Sequence, residues 1–186
     1  IYTSGTTGLP KAALVKHHRL FRAGAVWAGG VMRYREGDVL YNCLPLYHSN
    51  GLVVATCSVV IGRVTLALSR KFSRTRFWDE VRVHGATAFI YIGELCRYLL
   101  NAAPSERDRE HRVRVATGNG LRPDIWEKFQ QRFGIPRIAE LYGATEGNVI
   151  TVNLGTTVGS VGRMLPGMAL AAWDETRQEP VRDARG

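Results

Sequence analysis

Short strand-like apolar runs alternate with amphipathic helical patterns along nearly the whole chain, and this alternation limits the available folds more than any other feature. Leu20, Phe21, Gly24, Ala25, Trp27 and Ala28 recur at helical spacing, predicting a helix that ends near Gly29-Gly30. Residues 38–46 read as a strand with Pro45 at its end, because proline cannot donate to a sheet ladder. Residues 51–61, apolar on nearly every side, read as a buried helix, and residues 64–68 as a strand. Ser73 is suited to cap a helix through Phe77, Val81 and His84, with Gly85 closing it. A strand over 88–92, a helix over 93–101 and a strand over 113–116 follow, Glu94 suiting the positive end of the helix dipole. Pro123 opens a helix that runs to Phe133, where Gly134 stops it; a strand over 138–142 comes next. On that helix Trp126, Phe129 and Phe133 share one face, which reads as core. Such alternation predicts βαβ crossovers, hence an α/β fold with a largely parallel sheet whose ligands sit beyond the carboxyl ends of the strands.

With 186 residues and 45% apolar content, the chain has the size of one ordinary domain. Ile1-Tyr2 reads as the end of a strand already under way and residues 183–186 as a polar loop, so an internal fragment is expected. The formal charge of +9 invites a nucleic-acid reading. Its pattern argues against one: the basic residues are scattered and interrupted by acids, and the longest basic tract is Lys16-His17-His18-Arg19. Cys43, Cys57 and Cys96 are odd in number and have no metal-ligand spacing, which points to reduced, cytosolic thiols. Neither a membrane span nor a signal peptide is legible, leaving peripheral membrane association open.

The opening Tyr2-Thr3-Ser4-Gly5-Thr6-Thr7-Gly8-Leu9-Pro10-Lys11 carries the strongest chemical signal. Two glycines let backbone N–H groups converge, hydroxyl side chains add donors, and Lys11 adds a fixed positive charge, together a cradle for polyphosphate. It is not a Walker A loop: only Thr6 and Thr7 separate Gly5 from Gly8, and Ala12 follows Lys11. Glu146, after Thr145 in a turn, is a hard oxygen ligand of the kind Mg²⁺ takes alongside nucleotide phosphates. From residue chemistry alone Tyr142 is a core tyrosine at a strand end or a stacking face, and Gly118-Asn119-Gly120 a tight turn or an adenine-edge loop. His48 is a structural histidine or a group near the site.

The opening segment resembles the phosphate loop of the adenylate-forming superfamily of acyl-CoA synthetases, peptide-synthetase adenylation domains and luciferases. Leu44-Pro45-Leu46-Tyr47-His48-Ser49-Asn50-Gly51, Gly118-Asn119-Gly120-Leu121-Arg122 and Glu140-Leu141-Tyr142-Gly143-Ala144-Thr145-Glu146 follow in that family's order. The runs 72–78 and 91–100 resemble the fatty acid transport protein and very long-chain acyl-CoA synthetase branch. The resemblance implies that residues 1–186 are part of the large AMP-binding domain of an ATP-dependent ligase. This ligase would convert a long- or very long-chain fatty acid to acyl-adenylate and then to acyl-CoA, with ATP and CoA as co-substrates and AMP and pyrophosphate released. It also implies that Thr3, Ser4, Gly5, Thr6, Thr7, Gly8, Lys11 and Thr145 hold phosphate and that Glu146 ligates Mg²⁺. By the same resemblance, Tyr142, Gly143, Gly118, Asn119 and Gly120 are expected around adenine, and His48 is expected to contact the acyl carboxylate or gate the site. Residues outside this chain, including a catalytic lysine, are implied to complete turnover. Two other functions compete: ligation of a different carboxylic acid, and a fatty acid uptake protein whose nucleotide fold is not catalytic.

Overall fold

Parallel strand pairing organises the chain, and helices cover both faces of the resulting sheet. The computed structural model describes residues 1–3, 9–168 and 170–181. A small hairpin, β1 (Tyr2–Thr3) and β2 (Lys11–Ala12), precedes helix α1 (His17–Ala25), which widens into π-helical turns over Val26–Met32. β3 (Val39–Asn42) leads to π-helical turns over Asn50–Thr56, helix α2 (Cys57–Gly62) and β4 (Thr65–Leu68). Then come α3 (Phe77–Val83), β5 (Ala88–Ile92), α4 (Gly93–Leu100), a 3₁₀ turn (Glu106–Arg109) and β6 (Val115–Asn119). Helix α5 (Pro123–Phe133), β7 (Ile138–Ala144), β8 (Asn148–Asn153) and β9 (Arg163–Met164) follow, with a separate hairpin of β10 (Trp173–Asp174) and β11 (Glu179–Pro180).

The main sheet has seven strands in the order β4-β3-β5-β6-β7-β8-β9. Its first five are parallel, and β8 and β9 run antiparallel to their neighbours. Alternation along each strand sorts the core into two layers. Tyr41 and Phe89 point to the α3–α5 side, where Phe77 meets their rings edge-to-face at 5.1 and 5.2 Å. Trp126, Phe129 and Phe133, read as core from their spacing, are buried there. Leu40, Ala88 and Ile90 face the layer formed by α1, α2 and their π-helical turns. Gly24 lets those two helices touch, since a Cβ there would lie 2.7 Å from the Cys57 carbonyl oxygen.

Four predicted boundaries move. The first helix does not end at Gly29-Gly30: burial of Val31 and Met32 carries it to Met32, and Arg33 closes it at φ +50°. Ser73 does not cap α3 with its side chain; its hydroxyl lies 3.3 Å from the Thr75 hydroxyl, and its carbonyl accepts from Phe77 N at 2.9 Å. The strand expected over 113–116 begins at Val115 and runs to Asn119, paired throughout with β5. The strand expected over 38–46 is shortened to Val39–Asn42. Among the described residues no helix is long and apolar enough to cross a membrane.

At the amino ends of the strands, buried Asp38 ties three of them to the end of the first helix. It accepts from Arg35 N at 2.7 Å, from the Thr87 hydroxyl at 2.7 Å and from the Arg114 guanidinium. Arg114 also donates to the Met32 and Arg33 carbonyls at 2.8 and 3.1 Å. Burial pushes the Asp38 carboxyl up, but Arg114, Thr87 and the Arg35 N–H together hold it below the ordinary carboxylate range. The stability this group provides is therefore present above its unfolded pKa and lost as pH falls through the lowered folded value. Asp38→Ala leaves Arg114 without its carboxylate and is expected to lower the unfolding free energy by about 3 kcal/mol in urea denaturation. A loss under about 0.5 kcal/mol would contradict this role.

Candidate functional site

The parallel strands end along one edge, so the loops after β3, β6 and β7 gather there. Their backbones approach more closely than side chains permit. A Cβ on Gly118 would lie 2.2 Å from the Tyr91 carbonyl oxygen, and one on Gly93 only 1.7 Å from that of Gly120. Gly120 takes φ +79°, which suits glycine, and turns the chain from β6 toward α5. Glu140 on β7 supports this turn from beneath. Its carboxylate, in a residue only 4% exposed, accepts from Leu121 N at 3.1 Å and from the Tyr91 hydroxyl at 3.3 Å. Burial pushes the Glu140 carboxyl up to about 7, against the opposing pull of the Leu121 N–H, the Tyr91 hydroxyl and the Gly120 N–H.

Hydrogen bonds join the loops into one array. Asn50, buried at the start of the second π-helical segment, donates through Nδ2 to Asn119 Oδ1 at 2.7 Å. His48, whose ring is exposed, accepts at Nδ1 from Asn50 N at 3.3 Å. The Ser49 and Thr145 hydroxyls pair at 3.2 Å. Arg19 on α1 donates to the Thr145 carbonyl at 2.6 Å and to that of Ala144 at 3.4 Å. The Thr3 hydroxyl reaches the Lys11 carbonyl at 3.4 Å, linking β1 to β2. Glu146 is exposed and held below the ordinary carboxylate range by its own backbone N–H, the Thr3 hydroxyl and the nearby Arg19 charge.

Hydrogen bonds thus bring His48, Asn119 and Thr145 together across three chain segments and tie the Thr3 hydroxyl to the Lys11 backbone, with Glu146 directly after Thr145. Tyr142, 53% exposed, and Gly143 lie on the same stretch of β7, beside a register shift against β8. Gly120 is exposed at the edge, whereas Gly118 is buried and acts through its close packing on Tyr91. Ser4, Gly5, Thr6, Thr7 and Gly8 lie outside the described residues.

Sequence reasoning missed Arg19, Glu140 and Gly93 as parts of this edge. Arg19 was legible only as the end of a basic run. Glu140 left a clearer trace, a lone carboxylate among Ile138, Ala139 and Leu141 in a strand. Among the described residues no three His, Cys, Asp or Glu side chains cluster as a metal site. Glu146 is a single exposed carboxylate, a donor whose chemistry would fit Mg²⁺ shared with phosphate oxygens. A groove of about 370 Å³ lined by Arg74, Trp78, Arg82 and Arg132 opens beyond the far end of α4 and contains none of these residues.

The model of the AMP-binding enzyme family matches residues 1–186. The chain is 50% identical over 186 residues to the medium/long-chain-fatty-acid–CoA ligase FadD6 of Mycobacterium tuberculosis, covering 100% of this chain and 31% of that protein. It is 49% identical over 192 residues to the human long-chain fatty acid transport protein 1, covering 100% of this chain and 30% of that protein. Its fold matches ATP-bound MatB from Rhodopseudomonas palustris with a TM-score of 0.81 and 27% identity, over 99% of this chain and 37% of that one. O-succinylbenzoate coenzyme A synthetase (MenE) from Bacillus subtilis, in complex with ATP and magnesium, shares the fold alone, at 22% identity and a TM-score of 0.80 over 99% of this chain and 38% of that one. The chain thus spans about a third of the length of these relatives. With a family match from its first residue to its last and the loops gathered as described, the chain belongs to the AMP-binding enzymes.

Proposed function

We propose that this chain forms part of the AMP-binding domain of a ligase that activates a medium- or long-chain fatty acid with ATP and transfers it to CoA. One observation carries the reading: the Ser49–Thr145 and Asn50–Asn119 hydrogen bonds join three segments at the carboxyl edge of the parallel sheet. The half identity to FadD6, a fatty-acid–CoA ligase by name, supports the substrate class.

The acid's carboxylate oxygen attacks the α-phosphorus of ATP, an O–P bond forms, and the bond to pyrophosphate breaks. The CoA thiol then attacks the acyl carbon, loses its proton, and AMP leaves as the C–S bond forms. No side chain of the protein becomes covalently bonded, so these residues act by position and charge. Tyr142 offers an exposed ring for the adenine to stack on, with Asn119 and Gly120 at the base's edge. Thr145, fixed by Ser49 and Arg19, presents its hydroxyl to phosphate. Lys11, with the hydroxyls and backbone of residues 4–8, neutralises the polyphosphate. His48, exposed and held at Nδ1 by Asn50 N, binds the acyl carboxylate. Glu146 is the residue that would hold a magnesium ion, which would supply further charge neutralisation to the phosphates.

A second reading, fatty acid uptake without ligation, draws on the similarity to the human transport protein. ATP–pyrophosphate exchange by the intact protein separates the two. Exchange that depends on long-chain acid and falls on the order of a hundredfold in Glu146→Gln is expected; no exchange with any acid would favour uptake. Gly93→Ala tests the adenine side, since its new methyl must displace the Gly120 carbonyl. AMP affinity is expected to fall about tenfold, or about 1.4 kcal/mol, by calorimetry; unchanged affinity would detach the 118–121 loop from nucleotide binding.

A further inference from the structure

Glu140 is an ionisable group that the adenylation chemistry does not use. Strand alternation turns its side chain to the same side of the sheet as Tyr91, away from solvent, and its backbone neighbours in β7 are apolar. Among the described residues no lysine or arginine hydrogen-bonds to it. Its partners are the Leu121 N–H at 3.1 Å and, from β5, the Tyr91 hydroxyl at 3.3 Å. The other titratable group facing it is Cys96 on α4, whose own neighbour is Cys43 after β3. Burial pushes both the Cys96 thiol and the Tyr91 phenol well above their ordinary values, so neither ionises near neutrality.

Both of Glu140's hydrogen-bond partners donate to it, and one is a backbone amide of the loop that carries Asn119 and Gly120, shared between the two carboxylate oxygens at 3.1 and 3.4 Å. An ionised carboxylate accepts from both together. Protonation turns one of those oxygens into a donor, which can face the Tyr91 hydroxyl as Tyr91 donates to the Ala139 carbonyl at 3.5 Å, and leaves the Leu121 N–H with a weaker acceptor, loosening the turn. We infer that Glu140 is a positioning residue: its negative charge holds loop 118–121 in the shape that receives adenine, and proton uptake at Glu140 weakens nucleotide binding. The inference rests on the reading that Asn119 and Gly120 meet the base.

Burial pushes this carboxyl up to about 7, so the change falls between pH 6 and 8. If only the ionised form is competent, the apparent Kd at pH 6 exceeds that at pH 8 by about tenfold. The test is calorimetric AMP binding to the intact protein at pH 6, 7 and 8, in wild type, Glu140→Gln and Tyr91→Phe. Because AMP's phosphate titrates in this range, Glu140→Gln also corrects for the ligand's own protonation. The expected result is weak binding by Glu140→Gln at every pH and, in wild type, an additional tenfold weakening toward pH 6 relative to that variant. Tyr91→Phe removes a donor to the carboxylate and is expected to shift the wild-type midpoint to higher pH. Equal pH dependence in wild type and Glu140→Gln, or a midpoint in Tyr91→Phe that does not rise, would overturn the inference. Failure of all three proteins to bind AMP at any pH would instead overturn the nucleotide reading beneath it.

Discussion

The backbone contact between Gly93 and Gly120, where a methyl group has no room, is the constraint on which the site edge depends. It brings the start of α4 against the turn after β6, and the in-register pairing of Tyr91 with Gly118 and of Ile92 with Asn119 fixes where that turn begins. Glu140 then supplies from β7 the acceptor that the turn's amides need. Close packing, register and one buried acceptor together set Asn119, whose side chain in turn orders Asn50 and, next to it, His48 and Ser49.

Two buried carboxylates shape this fold with opposite dependence on pH. Asp38, paired with Arg114 at the amino ends of the strands, favours the folded state when ionised. Glu140, at the carboxyl ends and without a cationic partner among the described residues, has a folded pKa above its unfolded one. Its contribution is most favourable below the unfolded value and declines as pH rises toward about 7, a difference of about 3 kcal/mol. One end of the sheet is built for stability, whereas the other holds a charge at the expense of stability, as functional edges commonly do.

Much of this was legible in the sequence. The strand Ala88–Ile92 followed from an apolar run between turn signals, and α5 from Pro123 at its first turn and Gly134, at φ +64°, just past its end. Where local signals were weak, tertiary burial decided. Val31 and Met32 carried a helix past two glycines, and an arginine, not a glycine, took the left-handed position that ended it. The antiparallel strands β8 and β9 carried no helical interval to announce them and were not anticipated. For the site, motif order marked Thr145, Glu146 and Asn119, but sequence could not show that Arg19, over a hundred positions away, holds the Thr145 carbonyl. Glu140 was hidden for a related reason: its role depends on amides supplied by another strand's loop.

In the proposed reaction an acid's carboxylate oxygen becomes bonded to the α-phosphorus of ATP at this edge. The most direct measurement uses a long-chain fatty acid labelled with ¹⁸O in its carboxyl group, turned over by the intact protein with ATP and CoA, followed by mass spectrometry of the phosphate products. The account predicts one labelled oxygen in AMP and none in pyrophosphate. Label recovered in inorganic phosphate with ADP formed, or acyl-CoA produced with unlabelled AMP, would contradict it.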